Sequence, residues 1–123
     1  MTLAVVTNYY NPSGNPTKLN NFNRFKEGMK DLPLFVVEAA FEDQPFSLND
    51  ALQVRSQSVL WQQYRLVNHV IHNLPDYYDK AVWVDADILF DDVDGYSKIE
   101  EKLDSYNIVQ SFSEVTLLIK DSD

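Results

Sequence analysis

Ala81-Val82-Trp83-Val84-Asp85-Ala86-Asp87 is the stretch that decides the fold. Four apolar residues run without a polar interruption and then give way to two carboxylates. An unbroken, β-branched run of this kind marks a strand covered on both faces, as strands of parallel sheets are. Just upstream, Val59/Leu60, Gln63, Leu66/Val67, Val70/Ile71 and Leu74 step at three and four, the strongest helical pattern in the chain, and Pro75 stops it. Further out the same alternation repeats. Leu3-Ala4-Val5-Val6-Thr7 predicts a first strand, and residues 8–16, rich in Asn, Pro and Gly, a loop. A helix is expected from Thr17, a candidate N-cap, with Phe22, Phe25 and Met29 facing inward. Residues 33–41 predict a second strand, Leu34-Phe35-Val36-Val37 followed by Glu38, and residues 42–49, polar with Pro45, a connection. Beyond the central stretch, Tyr96, Ile99, Leu103 and Tyr106 suggest a helix, residues 107–112 a fourth strand and residues 115–119 a fifth.

Strands alternating with helices, each strand a continuous apolar run, define an α/β fold: a Rossmann-like, mostly parallel sheet sandwiched by helices, expected as a single domain over residues 1–123. The composition agrees, with 45% apolar and 24% charged residues in 123. No window of about eighteen apolar residues exists to span a membrane, and the N-terminus lacks the pattern of a signal peptide. There is no cysteine, which removes disulfides, thiolate metal sites and cysteine nucleophiles. The expected location is cytoplasmic. A net charge of -9 argues against nucleic acid, because phosphate backbones are bound by Lys/Arg footprints.

Ligands of open α/β sheets bind outside the carboxyl ends of the strands. The residues there are Thr7-Asn8-Tyr9, Glu38 and Asp85-Ala86-Asp87. In a continuing strand Asp85 and Asp87 would share a face. Two carboxylates that close repel unless a cation lies between them. Hard divalent ions such as Mg²⁺ and Mn²⁺ take one or two carboxylates and complete their shell with phosphate and water oxygens. The pair therefore reads as a metal half-site. The alternative is a solvated acidic loop, since Asp91, Asp92 and Asp94 follow.

Other motifs fail on residues. A calcium loop would need acidic ligands before Asp92, where Phe90 stands. There is no Gly-Lys-Ser/Thr for a P-loop, and Gly14, Gly28 and Gly95 are too scattered for a dinucleotide fingerprint. A two-component receiver domain would carry an acidic pair after its first strand, where Thr7-Asn8 stands. Residues 84–89 are similar to the start of a haloacid-dehalogenase-like phosphatase, with Asp85 as nucleophile and Asp87 as acid/base, but the threonine usual after that pair is absent.

The Asp85-Ala86-Asp87 motif on a nucleotide-binding sheet resembles the DxD of GT-A glycosyltransferases. Residues 59–68, Val-Leu-Trp-Gln-Gln-Tyr-Arg-Leu-Val-Asn, are similar to a helix in a bacterial and phage-associated group of these enzymes, followed there as here by Leu74-Pro75 and by a Trp-x-Asp-x-Asp-x-x-Phe stretch, Trp83 to Phe90. Residues 6–12, residues 37–41 and Pro45-Phe46 also look like that group. The resemblance implies a metal-dependent glycosyltransferase using Mn²⁺ or Mg²⁺ and a nucleotide-sugar, with UDP favoured. Thr7 and Tyr9 would contact base and ribose, and Glu38 would accept hydrogen bonds from either. Arg55 or Arg65 would approach base or diphosphate, Arg55 being preferred as nearer the start of the long helix. Asp87 would ligate the metal, and Asp85 the ribose or a metal-bound water. Arg65 has a second reading as an exposed helix cation paired with a carboxylate. Tyr9 has a second reading as loop packing and Glu38 as a solvated strand end. Trp61 and Trp83 read as core rather than as sugar-stacking platforms, Asn68 as a group satisfying buried backbone, and His69 and His72 as structural or solvent-facing.

Two departures stand out. Gln63-Tyr64 replaces the group's Lys-Glu. The chain also carries little beyond the DxD, so it resembles the N-terminal, donor half of a GT-A enzyme, with the acceptor half and its general base missing. A truncated sheet would expose apolar surface, and a homodimer or companion chain is the expected cover. A second class of function follows: a non-catalytic remnant that binds nucleotide-sugar or a protein partner.

Overall fold

The computed structural model describes residues 2–58, 60, 62–90 and 94–117. Seven elements follow in order: β1 (Leu3–Tyr10), α1 (Pro16–Gly28), β2 (Leu34–Phe41), β3 (Leu52–Ser56), α2 (Gln63–His72), β4 (Lys80–Trp83) and α3 (Gly95–Leu103). Contacts divide the chain into two compact units, residues 1–90 and residues 91–123.

The first unit is α/β, with a four-stranded sheet in the order β3-β2-β1-β4. Every pairing is parallel. The central strand β1 is fully buried from Leu3 to Val6, as its apolar run requires. Successive strand residues point to opposite faces. One face carries Val6, Val37 and Ala39 against Leu66, Val67 and Val70 of α2. On the other, Tyr9 meets Phe22 of α1 edge-on, with ring centroids 5.1 Å apart, and Phe22 packs on Phe25. Helices thus flank the sheet, and Phe22, Phe25 and Met29 are buried as their spacing predicts.

Several boundaries differ from the sequence reading. The N-cap of α1 is Asn15, two residues before Thr17: its side chain accepts the Thr17 N–H at 2.9 Å. Pro16 then fills the first helical turn, where its fixed φ and missing N–H cost nothing. The long helix is described only from Gln63; Leu60 lies outside it and is exposed, while Val59 and Trp61 lie outside the described residues. The strand β3 has no counterpart in the sequence reading. Leu52-Gln53-Val54-Arg55-Ser56 is an edge strand with little burial, so it lacks the apolar run that betrays its neighbours. The β2–β3 crossover, residues 42–51, is a loop without a helix. It starts at Glu42 in the left-handed region, φ 49°.

In the second unit, α3 buries Tyr96 and Ile99, and Tyr106 falls past its end. The expected strand at residues 107–112 does not form, nor does one over residues 115–117; residues 118 and 119 lie outside the described residues. Ile108 is 89% exposed and Leu117 87%, so neither segment finds a ladder partner or an apolar face to cover it.

Candidate functional site

The strand order locates the place where this sheet can hold a ligand. The chain leaves β1 toward β2 and β3, then returns to β4 on the other side of β1. Crossovers therefore diverge between the carboxyl ends of β1 and β4, the topological switch point at which such sheets bind ligands. The β1 end brings Tyr9, Tyr10 and the start of the β1–α1 loop to this point, and the β4 end brings Asp85-Ala86-Asp87.

Beside it lies a cleft of about 190 Å³, lined by Tyr9, Asn11, Asn15, Leu19, Glu38 and Gln44 among others. Its walls are fixed by side-chain-to-backbone bonds. Asn11 donates through Nδ2 to the Tyr9 hydroxyl at 3.1 Å and to the Asn15 carbonyl at 2.9 Å, and accepts the Asn15 N–H at 3.0 Å. Gly14, at φ +66°, supplies the left-handed residue that this turn needs. Gln44 donates to the Asn11 carbonyl at 2.7 Å and so ties the β2–β3 crossover to the β1–α1 loop. Burial raises the Tyr9 pKa, its bond from Asn11 opposes the rise and the Glu38 charge adds to it. Tyr9 is thus a neutral phenol at physiological pH.

Glu38 is 2% exposed, yet charged groups are rarely buried without partners. Its two oxygens accept the backbone N–H groups of Ser47 and Leu48, at 2.7 and 2.8 Å. The sequence reading placed Glu38 at the end of β2 as a base or ribose acceptor. The structure places it inside β2, which runs on to Phe41, and there it borders the cleft and anchors the crossover. Thr7 is entirely buried inside β1, and its hydroxyl has no hydrogen-bond partner. It is not among the residues that line the cleft, whereas Tyr9 is.

The strand β4 ends at Trp83, and Val84 extends its ladder by donating to the Val6 carbonyl at 3.1 Å. Asp85-Ala86-Asp87 is then a turn, closed by Ile88 N–H on the Asp85 carbonyl at 3.3 Å. The two carboxylates thus do not share the face of a continuing strand. Both are exposed. Asp85 Oδ1 accepts from Gln63 Nε2, the first residue of α2, at 2.8 Å. Asp87 has Lys18 of α1 as its electrostatic neighbour. Lys18 Nζ donates to the Tyr10 carbonyl. Desolvation lowers the Lys18 pKa, and the Asp87 charge opposes that shift.

Among the described residues no group of three or more His, Asp or Glu side chains is placed to hold a metal ion. Asp85 and Asp87 supply hard oxygen donors, which suits a Mg²⁺- or Mn²⁺-type half-site whose remaining ligands come from phosphate and water.

The arginines are placed otherwise than expected. Arg55 lies on β3, not near the start of α2. Its Nη1 donates to the Glu42 and Gln44 carbonyls, and its guanidinium stacks on Phe46 at 4.4 Å. Its observed work is to hold the crossover. Arg65 is exposed on α2, as are Asn68, His69 and His72, so Asn68 satisfies no buried backbone. Trp83 is 38% exposed and meets Tyr64 edge-on at 5.4 Å, which corrects its reading as core. Trp61 lies outside the described residues.

The sequence reading missed Asn11, Lys18, Gln44 and Gln63. Lys18 was within reach: it stands in the first turn after the β1 loop, at the carboxyl edge that strand-end logic marks.

The fold and site define an α/β protein with a small cleft at the carboxyl ends of a parallel sheet and an acidic turn at its switch point. No protein-family model, curated protein or solved structure matches the chain.

Proposed function

We propose that the chain binds a nucleotide-sugar through a divalent cation, as the donor part of a metal-dependent glycosyltransferase of GT-A type. The observation that carries this reading is the position of Asp85-Ala86-Asp87. The motif follows β4 at the switch point of a β3-β2-β1-β4 parallel sheet, whose cleft is lined from the β1 and β2 side. The chain's own residues divide the work. The Tyr9 phenol and the Glu38 carboxylate offer hydrogen bonds to base and ribose. Asp87, and Asp85 directly or through water, would hold Mn²⁺ or Mg²⁺. That ion supplies Lewis-acid stabilisation of the leaving diphosphate when bound. Gln63 fixes the Asp85 carboxylate from the side of α2.

The test is thermal unfolding with Mn²⁺ and a panel of UDP-, GDP-, CDP- and dTDP-sugars, with Asp87→Asn alongside. A ligand at about a hundred times its dissociation constant stabilises by about 2.7 kcal/mol, a shift of several degrees for a domain of this size. The expected result is a metal-dependent shift for one nucleotide, absent in Asp87→Asn. An equal shift in the variant would remove the site assignment. No shift with any nucleotide would remove the reading.

One observation favours a second reading, a binding module without catalysis. Residues 106–117 expose Tyr106, Ile108, Phe112, Val115 and Leu117, an apolar surface of the kind that partners cover. Sedimentation as a strict monomer with no binding of an apolar dye would count against it.

A further inference from the structure

The charge balance of the donor site is incomplete without a cation from the protein. Resting on the donor-site reading above, we infer that Lys18 is the diphosphate-binding residue of that site. Asp85 and Asp87 bring two negative charges, which one divalent ion cancels. The diphosphate of a nucleotide-sugar brings two more, and Glu38 a further one beside the cleft. Anionic phosphates held this close to carboxylates need a cation that the metal cannot supply alone.

Lys18 is the ammonium that the fold delivers there. It projects from the first turn of α1, adjoining Leu19 of the cleft wall. Its Nζ is held at the carboxyl end of β1 by the Tyr10 carbonyl. Its electrostatic partner is Asp87, the proposed metal ligand on the other side of the switch point. Arg55 holds two carbonyls of the crossover and stacks on Phe46, and Arg65 is exposed on α2. With nucleotide bound, the ammonium moves from the Tyr10 carbonyl to a phosphate oxygen, spanning cleft and metal.

Lys18 is like-charged with the metal and opposite in charge to the diphosphate, so its removal should act on the two ligands with opposite signs. The experiment measures Mn²⁺ alone and then UDP at saturating Mn²⁺, by calorimetry, on the wild type, Lys18→Met and Lys18→Arg. In Lys18→Met, UDP affinity should fall about tenfold or more, while affinity for Mn²⁺ alone stays level or rises. Inorganic pyrophosphate with Mn²⁺ should lose affinity as UDP does, and Lys18→Arg should recover most of it. Circular dichroism and the unfolding midpoint of each variant report the fold separately. Unchanged UDP affinity in Lys18→Met would overturn the inference. So would a parallel loss of Mn²⁺ and UDP, which marks a structural role through Tyr10. If the wild type binds neither UDP nor pyrophosphate, nor any other nucleotide of the panel, the donor-site reading falls and takes this inference with it. UDP binding that ignores Lys18 removes only the inference.

Discussion

Leu34-Phe35-Val36-Val37 and Asn107-Ile108-Val109-Gln110-Ser111-Phe112 are both strand-like in composition, and they meet opposite fates. The first enters β2, pairs in parallel with β1 and β3, and buries Val36 and Val37. The second pairs with nothing among the described residues and leaves Ile108 and Phe112 exposed. β-propensity expresses a fit to a pleated, half-buried surface, not an intrinsic demand of the backbone. A strand needs a neighbour, and β1 provides one for residues 34–41 but not for residues 107–112.

Paired truncations break or sharpen this contrast most strongly. Val37→Ala removes two methyl groups from a fully buried position and should cost about 2–3 kcal/mol in urea unfolding. Ile108→Ala removes exposed atoms and should change stability by less than about 0.5 kcal/mol. A cost at Ile108 near that of Val37 would show that residues 107–112 are packed in solution and would erase the contrast.

The next effect concerns Glu38, further along β2. Glu38→Gln keeps one acceptor oxygen but turns the other into a donor, so either Ser47 or Leu48 loses its acceptor. An orphaned buried N–H costs about 1–3 kcal/mol. The expected outcome is a loss of that size by chemical denaturation, with the midpoint lowered and the m-value retained. No loss would mean that the crossover does not depend on this anchor.

The smallest effect is electrostatic. The hydrogen bond from Lys26 holds the Asp50 carboxyl below the usual carboxylate range, with the Lys26 charge assisting. A depressed folded-state pKa contributes stability that is present above the unfolded value, near 3.9, and is lost as the pH falls through the folded one. Both side chains are largely exposed, so Asp50→Asn should cost only a few tenths of a kcal/mol at pH 7. That difference should vanish in acid and shrink in high salt.

Much of the α/β frame was legible in the sequence because β1, β2 and β4 are apolar runs and its helices keep an apolar stripe, although β4, expected to be covered on both faces, is an edge strand that buries only Val82 of its four residues. β1, β2 and β4 read directly, and so did the inward face of α1. The edge strand β3 did not, because Leu52-Gln53-Val54-Arg55-Ser56 carries no apolar run, and residues 107–112 misled because burial cannot be read from composition. Strand-end logic marked Tyr9 and Glu38, which line the cleft, and Asp85 and Asp87, which form the turn after β4. It did not find Gln63 and Gln44, whose roles depend on which loops meet, nor that Arg55 would lie on β3 and hold a loop. The shared face expected for Asp85 and Asp87 assumed a strand that continues, whereas the backbone turns after Val84 although β1 beside it runs on to Tyr10.

The anchoring of the crossover by Glu38 bears on hydrogen exchange. Amide protons of connecting segments ordinarily trade with deuterium quickly, since loop openings cost little. The Ser47 and Leu48 amides belong to no helix or strand, yet they donate to a carboxylate rooted in a central strand. Their exposure to solvent requires moving β2 or breaking a charge-assisted bond, so the middle of this loop should open with the sheet while its two arms open alone. The wall of the cleft is in that sense an extension of the core, and a ligand resting on it meets a surface as slow to yield as the strand beneath.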